Sequence, residues 1–387
     1  MKKQKKQKEK RWNKQSFSNW FIVIFIFLLP TQFGKHFFLP FSYLGGVRVD
    51  YLAPTLHITD ILVFVIALLN FRSIISFLKN RSFLVFLIFV FFNIGFAIEP
   101  WIASYRWLKI LELISIFIVF IKTPLKWNLI WKSFFVSTLF QFVLTVLQMV
   151  QKHSIQGVYY YFGERYLSLS TPDIAKASFD GVELLRPYAT FSHPNSMAGY
   201  FLLLYAFISF QKYHNNILQK VFEFILTLLI FFSFSKIAIG MYFIILITRF
   251  FVSKEYRKCI PCTLSAIIVP LALGFVFIRA QTDPMTISKR IVLIHNSVFV
   301  IRNSPLLGTG LGNYLYAQNN IPQKFFLLFT QPVHNIFILL VAELGVVASF
   351  VLAIIFITYV LKHKQSSTFY VLCSVILVTG FFDHYWL

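Results

Sequence analysis

The chain has 387 residues, of which 58% are hydrophobic and 13% charged, with 49 phenylalanines. Those proportions exclude an ordinary soluble domain and fit a polytopic membrane protein. The formal charge of +22 would suggest a nucleic-acid partner in a soluble chain, but here the lysines and arginines lie between apolar stretches, where they set membrane orientation, and no nucleic acid is expected.

Residues 1–18, MKKQKKQKEKRWNKQSFS, form a basic tail expected in the cytoplasm against anionic lipid. It leads into the apolar stretch from Asn19 without a small-residue cleavage site, so that stretch is expected to be retained. Apolar segments long enough to cross a bilayer follow at 19–33, 54–71, 82–98, 102–121, 129–150, 194–210, 217–234, 236–252, 260–278, 334–361 and 369–385. An all-α protein of about eleven transmembrane helices is the expectation, with 1–387 forming one integral domain in the cytoplasmic (inner) membrane.

Orientation follows from the basic residues. With the N-terminus inside, Arg72, Lys79 and Arg81, then Lys122, Lys126 and Lys132, then Lys212 and Lys220, then Arg249, Lys254, Arg257 and Lys258, then Lys362 and Lys364 all fall on the cytoplasmic side. Most of the 36 basic residues lie there although the opposite side has more loop, which is the positive-inside pattern. The two longest loops, 151–193 and 279–333, then face outwards. Structured loops of this length are usually functional, and short interfacial helices are expected in both.

The first outer loop ends in LRPYATFSHPNSMAGYFLLL. Pro194 suits the first helical position with His193 before it, which places Arg186, His193 and Asn195 at the lipid–water boundary beside a helix N-terminus that favours anions. A capping turn with a snorkelling arginine explains the same pattern. In the second loop Ile287, Ile291, Ile294, Val298 and Ile301 recur at helical spacing, with Arg290, His295 and Arg302 off the stripe. Such a helix lies along the membrane surface, either holding Arg290 for a substrate or only touching lipid phosphate.

Ser304 and Pro305 open a turn, and Gly308, Gly310 and Gly312 follow at alternate positions. This is not the dinucleotide spacing; the glycines either permit a tight reversal or let backbone amides approach a substrate phosphate. Pro332 is expected to start the next helix, with His334 in its first turn, where the helix dipole favours a neutral imidazole able to accept a proton. Glu343 lies deeper in the same helix, and Asp60, Arg106, Lys109, Glu112, Glu223 and Lys236 also sit within or beside apolar segments. Buried charges of this kind also mark transport paths, which keeps open the alternative of a lipid-linked glycan flippase or other polysaccharide transporter. Cys259 and Cys262 form a CxxC around Pro261, but with no second pair and no βαβ context a zinc or redox site is not expected, and Cys373 stands alone.

Three motifs, RPYATFSHPNSMAGY, KRIVLIHNSVFVIRNSPLLGTGLGNY and HNIFILLVAELG, occur in that order between apolar spans. With YLAPTLHITDIL near the second span and the terminal FDHY, they resemble the O-antigen ligase and O-antigen polymerase superfamily over most of the chain. The resemblance implies a GT-C-like glycosyltransferase on the outer face that moves glycan from undecaprenyl pyrophosphate to an acceptor hydroxyl on a glycan, lipid or protein. It implies no metal, no nucleotide and no other cofactor, and it does not separate ligase from polymerase. By motif, Arg186 matches a pyrophosphate-binding arginine, Arg290 the arginine ahead of the glycine turn, and His334 the histidine of the HN pair with Asn335, the family's candidate base. His193, Asn195, Gly308, Gly310, Gly312 and Asn335 join them as candidate substrate contacts. Within SFSKIAIG, Lys236 stands where the family commonly has arginine, keeping the charge but losing bidentate geometry.

The residues alone permit the same chemistry. Paired arginines stabilise the charge that develops on a pyrophosphate leaving group, and an acceptor hydroxyl needs a nearby base. The outer carboxylates, Asp50, Glu99, Glu164, Asp173, Asp180, Glu183, Asp283 and Asp383, include no DxD pair for a divalent cation. A metal-independent, inverting transfer is therefore expected, with His193 and His295 as weaker candidates for the base.

The orientation is tested by labelling intact cells with an impermeant thiol reagent. Ser178→Cys and Asn319→Cys should both react from outside; protection of both would reverse the topology.

Overall fold

The computed structural model describes residues 16–172, 174–179, 181–211, 216–252, 260–280, 286–321, 331–363 and 365–383. The basic tail up to residue 15, Cys259, the carboxylates Asp173, Asp180 and Asp283, parts of both outer loops and residues 384–387 lie outside the described residues.

The described chain is mostly helical. In order come α1 (Ser16–Leu28), α2 (Ile58–Leu69), α3 (Phe71–Leu78), α4 (Arg81–Gly95), α5 (Pro100–Lys122), α6 (Trp127–Gln151), α7 (Pro194–Ser209), α8 (Asn216–Phe232), α9 (Lys236–Val252), α10 (Ile260–Arg279), α11 (Thr286–Asn303), α12 (Tyr314–Asn319), α13 (Ile336–Lys362) and α14 (Ser367–Phe382). Helices occupy each apolar segment read from the sequence. Among the described residues, two of them, α6 and α13, are long and apolar enough to cross a membrane, and α2 with α3 makes a third if that pair, bent by 83°, is one broken span.

The bend falls at Asn70. Its side-chain amide donates to Ile66 O and to Ser18 Oγ, both at 2.8 Å, and its oxygen accepts from Thr123 Oγ1 at 3.3 Å. A polar side chain that bonds the preceding turn and two other segments competes with continuation of the helix.

Strands are present where an all-α chain was expected. Gly34–His36 (β1) pairs antiparallel with Thr55–His57 (β4), Tyr43–Leu44 (β2) with Val47–Arg48 (β3), and Lys176–Phe179 (β5) with Val182–Leu185 (β6). These ribbons are too short for alternation to reveal them. The first outer loop accordingly carries a 3-10 turn at Gly157–Phe162 and the β5–β6 hairpin in place of an interfacial α-helix. The second carries α11 and α12. On α11 the expected apolar stripe is exposed, from Ile287 at 72% to Val298 at 40%, while Leu293, Asn296, Ser297 and Val300 are buried.

The chain divides into two compact units. In the first (Met1–Ser137, Val298–Gln331 and Leu340–Ser349), α2, α3 and α4 pack on α5. Ile22 and Ile26 of α1 meet Ile66, Ile74, Ile118 and Val119 in one core cluster, and Val90, Ala103, Trp107, Leu311 and Leu344 form another. Asn93 Oδ1 ties that second cluster together by accepting from Trp107 Nε1 at 2.9 Å and Leu311 N at 3.1 Å. Lys109 pairs with Asp60 and, at 3.3 Å, with Glu112, the i,i+3 pair that the spacing predicts.

In the second unit (Thr138–Ser297, Pro332–Leu339 and Phe350–Leu387), α7 is the central element, packed against α8, α9 and α14. Ala198, Gly199 and Ala206 are buried on it, and small residues let neighbouring backbones approach. Glu223 receives a bidentate pair from Arg249 at 2.7 and 3.0 Å. The paired charges of both units therefore have internal partners, which weakens their reading as a transport path.

The glycine-rich stretch belongs to the first unit and is packed against α13. Gly345 interrupts that helix with φ 82° and ψ 165°, and Val346 N donates across the break to Pro305 O at 2.9 Å. A Cβ on Gly345 would collide with Leu306 O, and one on Gly308 (φ 69°) would collide with Glu343 O. The Gly308 and Gly310 amides donate to Ser304 O and Glu343 O, and the Gly312 amide donates to the Glu343 carboxylate. All three amides are thus taken up inside the protein. The glycines make a tight reversal, and these bonds lend no support to the other reading, a phosphate cradle at Gly308, Gly310 and Gly312.

Gly345→Ala should be strongly destabilising, by more than the roughly 1–2 kcal/mol that a left-handed backbone costs, because a collision is added. Gly240→Ala, in open space on α9, should be neutral or stabilising by up to about 1 kcal/mol. Thermal unfolding in detergent compares them; equal melting temperatures would show that the Gly345 break is not required.

Candidate active site

The first outer loop is built around two buried side chains of the second unit. Glu164 accepts from Gln148 Nε2 at 2.7 Å, Ile155 N at 2.9 Å and Gln156 N at 2.6 Å. Gln148, near the end of α6, also accepts through Oε1 from Tyr188 N at 3.0 Å and Ala189 N at 2.8 Å. These bonds fix the segment that runs from Arg186 to α7. Buried polar groups joined in this way specify one loop conformation.

Arg186 follows strand β6 and turns inward, with only 8% of its surface exposed. Its Nε donates to Ser233 O at 2.9 Å and its Nη2 to Asn195 Oδ1 at 2.7 Å. Burial lowers its pKa to about 10, against the attraction of Tyr188 and Asp383, so it is charged at neutral pH. Among the described residues it makes no direct ion pair. A buried cation whose bonds go to neutral acceptors favours a further anion.

Asn195 relays this contact. Its Oδ1 accepts from Arg186, and its Nδ2 donates to Asp383 Oδ2 at 2.8 Å. The other carboxylate oxygen, Asp383 Oδ1, lies 3.2 Å from His334 Nδ1. Because an ionised carboxylate only accepts, Nδ1 carries the proton and Nε2 is the basic nitrogen of the ring. Arg186, Asn195, Asp383 and His334 are thus joined in one line of polar contacts. In the sequence Asp383 stood only among the outer carboxylates and in the FDHY end, with no role at the site; its signal was that place directly after the apolar α14.

The remaining candidates divide. His193 is the N-cap of α7 and its Nδ1 accepts from Asn195 N at 3.1 Å, so Nδ1 is unprotonated and the neutral ring presents Nε2–H, a donor and not a base. Asn335 is the N-cap of α13, accepting from Phe337 N and Ile338 N at 3.0 Å each and donating to Phe381 O at 3.2 Å. The helix consequently starts at Ile336, and His334 precedes it instead of occupying its first turn; a carboxylate, and not the helix dipole alone, sets its environment. Lys236 is the exposed first residue of α9, three positions beyond Ser233. Arg290 lies on α11 outside the line of contacts, and its Nε is buried with no hydrogen-bond partner among the described residues. His295 is exposed on the same helix.

Neither a curated protein nor a solved structure matches the chain. The O-antigen ligase family model matches residues 221–353, a span that includes the SFSKIAIG segment, α11, the glycine turn, His334 and Glu343. Over that span the chain is similar to the O-antigen ligases, which supports the superfamily read from the motifs.

Proposed function

We propose that the protein transfers glycan from undecaprenyl pyrophosphate to an acceptor hydroxyl at the outer face of the cytoplasmic membrane, as a ligase or polymerase of surface polysaccharide assembly. The observation that carries the reading is the contact line from Arg186 through Asn195 and Asp383 to His334. It sets a buried cation and an oriented imidazole in one hydrogen-bonded group.

In the proposed reaction the acceptor oxygen attacks the anomeric carbon as His334 Nε2 takes its proton. The new glycosidic C–O bond forms while the bond from that carbon to the pyrophosphate oxygen breaks, with inversion. The electron pair leaves on the pyrophosphate, whose charge Arg186 stabilises, with Arg290 as the second guanidinium. Asp383 holds the Nδ1 proton and stabilises the imidazolium that forms, as the carboxylate of a catalytic triad does. Lys236 adds positive charge at the turn that supplies Ser233 O. The lack of an outer DxD pair supports a metal-independent reaction.

His334→Ala should lower transfer by roughly a hundredfold or more while the lipid-linked donor still binds. Asp383→Asn should lower kcat by about the same order with little change in donor KM. Reconstituted turnover in excess chelator measures both: near-normal rates for His334→Ala would remove it as the base. Loss of wild-type activity with EDTA, restored by magnesium or manganese, would reject the metal-free mechanism.

A further inference from the structure

The first unit contains a wide, open depression of about 890 Å³ whose lining includes none of the residues discussed above as catalytic. Its walls come from three separate segments that the topology places outside: the loop around Phe41, the start of α5, and α12. Two tyrosines brace those walls. Tyr105 OH donates to Thr55 O at 3.1 Å and Tyr316 OH donates to Phe41 O at 2.8 Å. The loop that ends in Glu99 is pinned from below, since Asn313 Oδ1 accepts from Glu99 N at 2.8 Å and Asn313 Nδ2 donates to Glu99 O at 3.3 Å. These hydrogen bonds fix the lining segments against one another.

Its lining is mostly apolar, with the Glu99 carboxylate at one edge. Trp101 is 71% exposed and offers an aromatic face. Beside it, the Glu99 carboxylate makes one hydrogen bond among the described residues, through Oε1 with Trp101 N at 3.3 Å, and Oε2 has none there and can accept from a ligand. A tryptophan at a membrane boundary is often only part of an aromatic belt, but a belt residue needs neither a braced cavity nor a carboxylate at its edge. A prenyl or acyl chain would strip water from that carboxylate and return no hydrogen bond. An ammonium cage closes aromatic rings within about 6 Å of a single cation, and this space is far larger. A sugar ring matches both sides, with an apolar C–H face for the indole and a rim of hydroxyl donors for the carboxylate.

We propose that this cavity is a saccharide subsite, in which a sugar ring stacks on Trp101 and its hydroxyls donate to Glu99. The choice of a glycan made by the host cell as ligand rests on the transferase reading above; the cavity itself does not.

The test uses the full chain in detergent micelles and, as probe, the lipid-free oligosaccharide released by mild acid from the host's own lipid-linked glycan. Saturation-transfer NMR and titration calorimetry should detect binding to the wild type. Trp101→Ala and Glu99→Gln should each weaken it at least tenfold, and Trp101→Phe should keep most of it. Undiminished binding by both of the first two variants, or no binding to the wild type, overturns the proposal. So does loss of binding of sugar-free prenyl phosphate in Trp101→Ala with the oligosaccharide unaffected, which would make the cavity a lipid site. Binding is read without turnover, so a Trp101-dependent sugar site in a protein that transfers nothing would sink the transferase reading and leave the subsite standing. Where transfer occurs, a raised KM for the lipid-linked donor in Trp101→Ala assigns the subsite to the donor glycan, and a raised acceptor KM assigns it to the acceptor.

Discussion

A guanidinium buried to 8% exposure, with no carboxylate in contact among the described residues, is the constraint around which the second unit is arranged. Water no longer solvates Arg186, so the protein supplies acceptors, and it supplies neutral ones: a carbonyl at the α8–α9 turn and the amide oxygen of Asn195. The counter-charge is held one residue away, on Asp383, behind the Asn195 amide. Direct pairing with Asp383 would satisfy the arginine and close it to anions. Relaying the contact keeps the cation in place while leaving an anionic ligand something to gain. The same carboxylate orients His334, so one buried charge governs both the candidate phosphate contact and the candidate base.

The first unit solves a different problem, that of breaking a long apolar helix at depth without leaving its backbone unpaired. In an apolar surrounding every free N–H or C=O is costly. At Gly345 the freed groups are met by the preceding turn: Val346 N bonds Pro305 O, Thr309 N bonds Ala342 O and Gly310 N bonds Glu343 O. The Glu343 side chain takes the Gly312 and Tyr314 amides. A motif that reads on paper as a phosphate loop is thus the lock on a helix break. Glycine is required because the two backbones touch.

Charges in apolar helices show the same economy. Lys109 with Asp60 and Glu112, and Arg249 with Glu223, are closed groups within single units. Each satisfies its own charge locally. A transport path needs ionisable groups that exchange partners, and these pairs instead tie neighbouring helices.

Composition and periodicity by themselves indicated a mostly helical chain whose apolar helices suit a membrane, roughly where the long helices fall, and that Arg186 and Asn195 lie beside a helix start. Those features are local: apolar length, proline at a helix start and a basic residue between spans act through neighbours in the chain. The ordered motifs also pointed to the O-antigen ligase superfamily, which the match over residues 221–353 supports. Only the tertiary structure decided that Asp383 joins Asn195 to His334 across 188 and 49 residues, that Asn335 and His193 are spent as caps, and that the three glycines face their own chain. Short strands such as β2 and β3 escaped for the same reason. A two-residue strand has no pattern of its own, and a carboxylate at the end of an apolar helix has no partner until distant segments fold around it.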